Sequence, residues 1–77
     1  MPQVKLLYFG QLAQITGKSS EEINAQCIAD LRAAVTEKYP GLKSSVFSVS
    51  VNRVIRKENH ELNEADEVAF LPPFSGG

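Results

Sequence analysis

Apolar and polar positions along this 77-residue chain fall into short blocks of recognisable period. Val4 to Phe9 (VKLLYF) is almost continuously apolar and stops at Gly10, which predicts a first strand in an interior position. Gln11 to Thr16 reads as one short helical stretch, with Gly17 as its left-handed stop. Ser19 to Gln26 alternates weakly: Ile23 and Ala25 against Glu22, Asn24 and Gln26. Its charges suit an edge strand. From Ile28 to Tyr39 the period changes. Ile28, Leu31, Val35 and Tyr39 recur at helical spacing, with Asp30 in the first turn and Lys38 in the last, where each complements the helix dipole. Pro40-Gly41 ends that helix.

Alternation returns in Val46 to Asn52, with Phe47, Val49 and Val51 on one face and Ser48 and Ser50 on the other. Asn52-Arg53 is a plausible two-residue turn, after which Val54-Ile55 begins a return strand. Arg56 to Asp66 is polar and reads as a solvated loop. Glu67 to Leu71 (EVAFL) is the last strand, and Pro72-Pro73 must end it because neither residue can donate to a ladder. One long helix in so short a chain can cover only one face of one sheet. The expected fold is therefore α+β, a β-grasp (ubiquitin-like) mixed sheet with the helix on one face. Residues 1–77 form one domain, of which 72–77 protrude as a tail.

Strand parity divides the first strand into Val4, Leu6 and Tyr8 on one face and Lys5, Leu7 and Phe9 on the other. Lys5 is hard to bury, so its face is the one turned away from the helix. In the last strand, Val68 and Phe70 then face the helix, and Ala69 and Leu71 point out with Glu67. Leu7, Phe9, Leu71 and Ile55 would together make an exposed apolar patch, the usual mark of a partner surface.

Composition narrows the chemistry. Eight basic against nine acidic residues leave a net charge of -1, which removes the electrostatic case for nucleic acid or an anionic membrane. One cysteine, Cys27, cannot close an internal disulfide, and with one histidine, His60, a Cys/His zinc site is excluded. Cys27 reads as a small cap-position residue and His60 as a solvated one. Arg53, Arg56 and Lys57 form a small basic group expected to pair locally with the acidic run, contact with a partner being the alternative. No apolar run approaches the roughly 20 residues of a spanning helix, and Met1-Pro2-Gln3-Val4-Lys5 lacks a signal-peptide layout, so a cytoplasmic location is expected.

The most informative segment is the end. A buried-looking strand runs into Pro72-Pro73, which stiffens the exit, and then into Phe74-Ser75-Gly76-Gly77. Two glycines thread narrow channels, and a glycine carboxyl is unhindered for attack at its carbonyl carbon. A free carboxylate is nonetheless a poor acyl donor, and the chain has no phosphate-binding glycine loop or Walker lysine with which to activate it. The chain therefore reads as the carried substrate of an ATP-using enzyme.

Asp66-Glu67-Val68-Ala69-Phe70-Leu71-Pro72-Pro73-Phe74-Ser75-Gly76-Gly77 resembles the C-terminal signature of the molybdopterin synthase small subunits, the MoaD family. Val4 to Phe9, Ile28 to Arg32 and Val51-Asn52 agree in order and spacing. Pro72-Pro73 separates this pattern from the related thiamin-pathway carriers, which also end in Gly-Gly. The resemblance implies that an E1-like adenylyltransferase (MoeB type), using ATP and Mg²⁺, adenylates Gly77, and that sulfur transfer then makes a thiocarboxylate there. It further implies that the tail, with Gly76, enters a large subunit (MoaE type) to deliver sulfur to a pterin precursor, and that the subunits form a heterotetramer. The catalytic site would lie on the large subunit, and this chain would itself bind no cofactor or metal. Phe9, Leu7, Ile55, Leu71, Pro72, Pro73, Phe74 and Ser75 are the expected partner-binding residues, with Phe74 either at the channel mouth or on the outer sheet face. A carrier for another pathway and a ubiquitin-like protein modifier are the alternatives.

Two positions depart from the family pattern. Ala65 stands where Gly is common, and the loop there is expected to adopt another conformation rather than place Ala65 at positive φ. Cys27 stands where Thr often caps the helix, and it is a weaker cap.

Overall fold

Alternating apolar residues and one helical stripe meet in a single core, seen in a computed structural model that describes residues 1–73. The elements are β1 (Gln3–Tyr8), α1 (Gln11–Thr16), β2 (Ser20–Asn24), α2 (Ile28–Lys38), a 3-10 helix (Pro40–Ser44), β3 (Ser48–Val51), β4 (Val54–Arg56) and β5 (Glu67–Leu71). They form one sheet in the order β2-β1-β5-β3-β4, so the last strand of the chain lies in the middle. β1 and β5 run parallel, and the other neighbours are antiparallel. This is the mixed, helix-covered sheet that the periodicities predict, with β2 at an edge and β1 inside.

Parity works as expected on the inner face. Val4, Leu6, Val49, Val68 and Phe70 are buried against Leu31 and Val35 of α2. Each such side chain contributes about 2 kcal/mol by leaving water. Phe70 is the hub, stacked on Phe47 at 4.5 Å between ring centroids and meeting Tyr8 edge-on at 6.1 Å.

The loop after β4 does more than an acidic run suggests. Leu62 is buried in the core, and its N–H donates to the Gln26 carbonyl at 2.8 Å. The same loop caps α2. Cys27 occupies the N-cap in extended geometry but makes no side-chain cap bond. Instead the His60 carbonyl accepts from Ile28 N–H at 3.0 Å, and Asn59 Oδ1 accepts from Ala29 N–H at 2.9 Å. His60 is half-buried rather than fully solvated. At the other end of α2, Pro40-Gly41 does not release the chain. It opens the 3-10 helix, which buries Leu42.

Asn52 and Arg53 have φ of 49° and 72°, the double positive φ of a type I′ turn. Asn52 also ties this hairpin to β5: its Oδ1 accepts from Glu67 N–H and its Nδ2 donates to Asp66 Oδ1, each at 3.0 Å. Asp66 Oδ2 accepts in turn from Asn63 N–H at 2.9 Å. That clamp overturns the expectation for Ala65, which does take positive φ, at 69°. Its N–H is bound to the Gln3 carbonyl at 2.9 Å, so the turn cannot relax.

Local pairing of Arg53, Arg56 and Lys57 does not occur either. Among the described residues both ion pairs converge on Glu21, from Lys18 at 3.6 Å and Lys38 at 2.6 Å. Two of the nearby acids are engaged elsewhere: Asp66 in the clamp, and Glu64 accepting from Gln3 N–H at 2.9 Å. Glu21 shares the inward parity of Ile23, and the hydroxyls of Tyr8 and Tyr39 donate to it at 2.5 and 2.9 Å. Burial alone would raise its carboxyl, but the hydrogen bonds from Lys38, Tyr8 and Tyr39 outweigh that and hold it down at about 2. Burial, then the hydrogen bond to Glu21 and its charge, push the Tyr8 hydroxyl well above its usual range. The bond to Glu21 likewise raises Lys38.

Two stability outcomes follow. Ala65→Gly relieves left-handed strain and should stabilise the protein by about 1 kcal/mol in urea unfolding. Because the Glu21 carboxyl is depressed from 4.5 to about 2, its contribution is complete above the unfolded value and is lost as pH falls through that window. Urea midpoints at pH 5 and pH 2.5 should show an acid-labile increment of about 2 kcal/mol in the wild type that is absent in Glu21→Gln.

Candidate functional site

The face of the sheet away from α2 is built by the other half of each alternation. Leu7 pairs with Ala69, Ala69 with Ser50, and Ser50 with Ile55, so these four residues form one row across β1, β5, β3 and β4. Phe9 follows β1 and donates its N–H to the Phe70 carbonyl at 3.3 Å, which carries the parallel register on and sets Phe9 beside Leu71. Phe9 is 45% exposed and Ile55 50%, while Leu7 and Leu71 are half-buried. The four residues expected to form an apolar patch are therefore on one surface.

The centre of that surface is lower than parity alone implies. Ala69 and Ser50 are only 8% and 6% exposed although they point outward. Their side chains are small and stand between larger neighbours, so the row has high ends, Leu7 and Ile55, and a low floor. A partner side chain entering there would meet the Ser50 hydroxyl on that floor.

The exit of β5 is fixed by a close approach. Gly10, at φ 58°, lies against the Pro72 ring, where an added Cβ would stand 3.0 Å from Pro72 Cγ. Positive φ and this contact both favour glycine. Pro72 is consequently half-buried, and the free course of the tail starts no earlier than Pro73, which is exposed. A cleft of about 260 Å³ beside both prolines is lined by Gln11, Leu12, Ser44, Ser45 and Val46. Val46, 75% exposed, extends the apolar surface and was not singled out from sequence. Its place just before an alternating strand is the only signal that pointed to it. Phe74, Ser75, Gly76 and Gly77 lie outside the described residues.

Cys27 and His60 share a separate open cleft of about 490 Å³ with Pro2, Gln26, Asn59, Glu61 and Leu62. It adjoins the cap of α2 and shares no lining residue with the cleft beside Pro72 and Pro73, although Asn59 and His60 also border a cleft with Ile55. Among the described residues, no three His, Cys, Asp or Glu side chains gather as a metal site would require.

β5, a central strand with two neighbours, thus leads into Pro72-Pro73 beside an apolar surface. Known proteins resemble this chain in sequence and fold. A molybdopterin synthase sulfur carrier subunit of Caenorhabditis briggsae is 34% identical over 84 residues, covering all of both chains. The solution structure of small archaeal modifier protein 1 from Methanosarcina acetivorans superposes with a TM-score of 0.86 at 25% identity, covering 100% of this chain and 98% of that one. A complex of subunits 1 and 2 of the molybdopterin-converting factor from Helicobacter pylori contains a chain that matches with a TM-score of 0.74 at 27% identity, covering 97% and 99%. The ThiS family model matches residues 6–77, nearly the whole chain, and the protein belongs to the ThiS family.

Proposed function

We propose that this protein is the sulfur carrier subunit of a molybdopterin synthase, with Gly77 as the atom-bearing end and the outer sheet face as its docking surface. The observation that carries the reading is the continuity from β5 to the chain end. The strand held on both sides by β1 and β3 ends at Pro72-Pro73 and shares its outer face with Phe9, Leu7, Leu71 and Ile55, and Phe74-Ser75-Gly76-Gly77 follow it in the sequence. The names of the full-length relatives and the H. pylori subunit complex support it.

In this reading the large subunit holds the catalytic site, and this chain supplies a reactive terminus. An E1-like adenylyltransferase uses ATP and Mg²⁺: a Gly77 carboxylate oxygen attacks the α-phosphorus, pyrophosphate leaves, and an acyl-adenylate forms. A sulfur nucleophile then displaces AMP at the Gly77 carbonyl carbon to leave a thiocarboxylate. The absence of Cβ at Gly76 and Gly77 leaves that carbon open to attack. The outer face docks first on one partner and then on the other, while Pro72 against Gly10 sets the direction in which the tail departs. Inside the large subunit, the thiocarboxylate sulfur attacks the pterin precursor. The likeness to a small archaeal modifier protein favours one second reading, in which the same activated terminus is joined to lysine.

Incubation with the adenylyltransferase, ATP and a sulfur source should raise the intact mass by one sulfur-for-oxygen exchange, mapped to Gly77. Lysine-linked adducts without that exchange would favour the modifier reading. Deleting Gly77 should abolish molybdopterin formation by the reconstituted synthase and shift unfolding free energy by less than about 0.5 kcal/mol, since loss of one terminal glycine removes no side chain from the core. Formation at the wild-type rate would reject the assignment. Ile55→Asp should weaken large-subunit binding by about 2 kcal/mol in calorimetric titration, with a much smaller effect on thermal stability, because Ile55 is half-exposed on an outer face.

A further inference from the structure

At the β4 edge the outer face turns into a second surface of different chemistry. The two-residue turn makes Val51 and Val54 a hydrogen-bonded pair, so the next residue, Ile55, directs its N–H and C=O away from β3. β4 is the last strand in the sheet order, and that edge is open. Alongside it runs a cleft of about 210 Å³ lined by Phe47, Ile55, Arg32, Arg56 and Lys57; Glu58 borders the adjoining clefts with these cations but makes no ion pair with them. Arg32 is held over the Phe47 ring at 4.8 Å, and Phe47 is in turn stacked on Phe70, so one cation of the cleft is anchored to the core. None of Arg32, Arg53, Arg56 and Lys57 takes part in an ion pair among the described residues.

We propose that this cleft and the open edge of β4 receive an acidic extended segment of the large subunit, which continues the outer-face contact past Ile55 and around the sheet edge. The inference rests on the reading of the outer face as the large-subunit docking surface. Three cations converge on an apolar floor within a chain whose net charge is -1, so the positive charge is local and matches an acidic partner. Edge cations also deter sheet-to-sheet aggregation, but that role needs only solvated charge and not a cleft with a ring at its base. The backbone groups of Ile55 would pair with the incoming segment while Arg56 and Lys57 meet its carboxylates.

The test is binding of the full chain to its cognate large subunit, measured by surface plasmon resonance from low to high salt. R56E/K57E should weaken binding about tenfold at low ionic strength, mainly through the association rate, and flatten its salt dependence. Its thermal midpoint and its turnover at saturating large subunit should match wild type. R56Q/K57Q, which keeps size and removes charge, should show the same trend at about threefold and serves if the reversal fails to fold. Binding within twofold of wild type at every salt concentration would overturn the proposal, as would an equal loss at low and high salt. Ile55→Asp separates the two levels. If it abolishes binding while R56E/K57E is neutral, only the acidic-segment inference falls. If it too is neutral, the outer-face reading falls with it.

Discussion

The parallel pairing of β1 with β5 is the constraint on which the rest of this structure depends. It places the last strand of the chain in the centre of the sheet, between β1 and β3, and makes it end at the same side as β1. The chain end therefore leaves from a strand with hydrogen-bonded neighbours on both flanks, and it leaves beside Phe9 and Gly10. In the proposed function a partner draws the tail into a channel, and an edge strand would peel under that pull. The same pairing joins residues more than 60 positions apart, so the sheet closes only when the C-terminal strand is inserted; topology of this kind slows folding but binds the tail's anchor to the whole core.

The strands that anchor the tail also separate stability from recognition. In β5, Val68 and Phe70 carry the core while Ala69 and Leu71 face outward, one residue apart. A one-residue slip would exchange those sets, so the register that buries Phe70 is the register that presents Leu71. Asn52 guards it. By holding both Asp66 and Glu67 it fixes the residue at which β5 begins, and the strain at Ala65 is the cost of starting the strand there.

Much of this was legible in the chain because period and parity are local. β5 has the bounds its composition predicts, the β3–β4 turn falls at Asn52-Arg53, and Leu7, Phe9, Ile55 and Leu71 share the face that parity assigns to them. What was missed depends on residues far apart in sequence. Leu62 reads as part of a charged loop, but it reaches the core because the loop pairs with Gln26. Asn59 caps a helix that begins 31 residues before it, so no inspection of the helix's own start would find it. Ala65 is held at positive φ by Gln3, near the opposite end of the sequence. Glu21 could have been recognised: it shares parity with Ile23, and an inward carboxylate demands partners.

The two edges of the sheet resolve the same problem in opposite ways. At the β2 edge one carboxylate, Glu21, gathers two lysines and two tyrosine hydroxyls, so its charge is satisfied within the fold. At the β4 edge the cations are left without carboxylate partners among the described residues, although acids are plentiful in the loop that follows. That loop is committed elsewhere: Asn59 and His60 to the helix cap, Leu62 to the core, Glu64 and Asp66 to the backbone of Gln3 and Asn63. Glu64 and Asp66 cannot turn back to β4 without releasing these bonds, and Glu58, which borders clefts with Arg56 and Lys57, makes no ion pair with them. The charge asymmetry is thus a consequence of how the loop is spent in holding α2 and β5, and it leaves the basic edge open beside the apolar face that the tail adjoins.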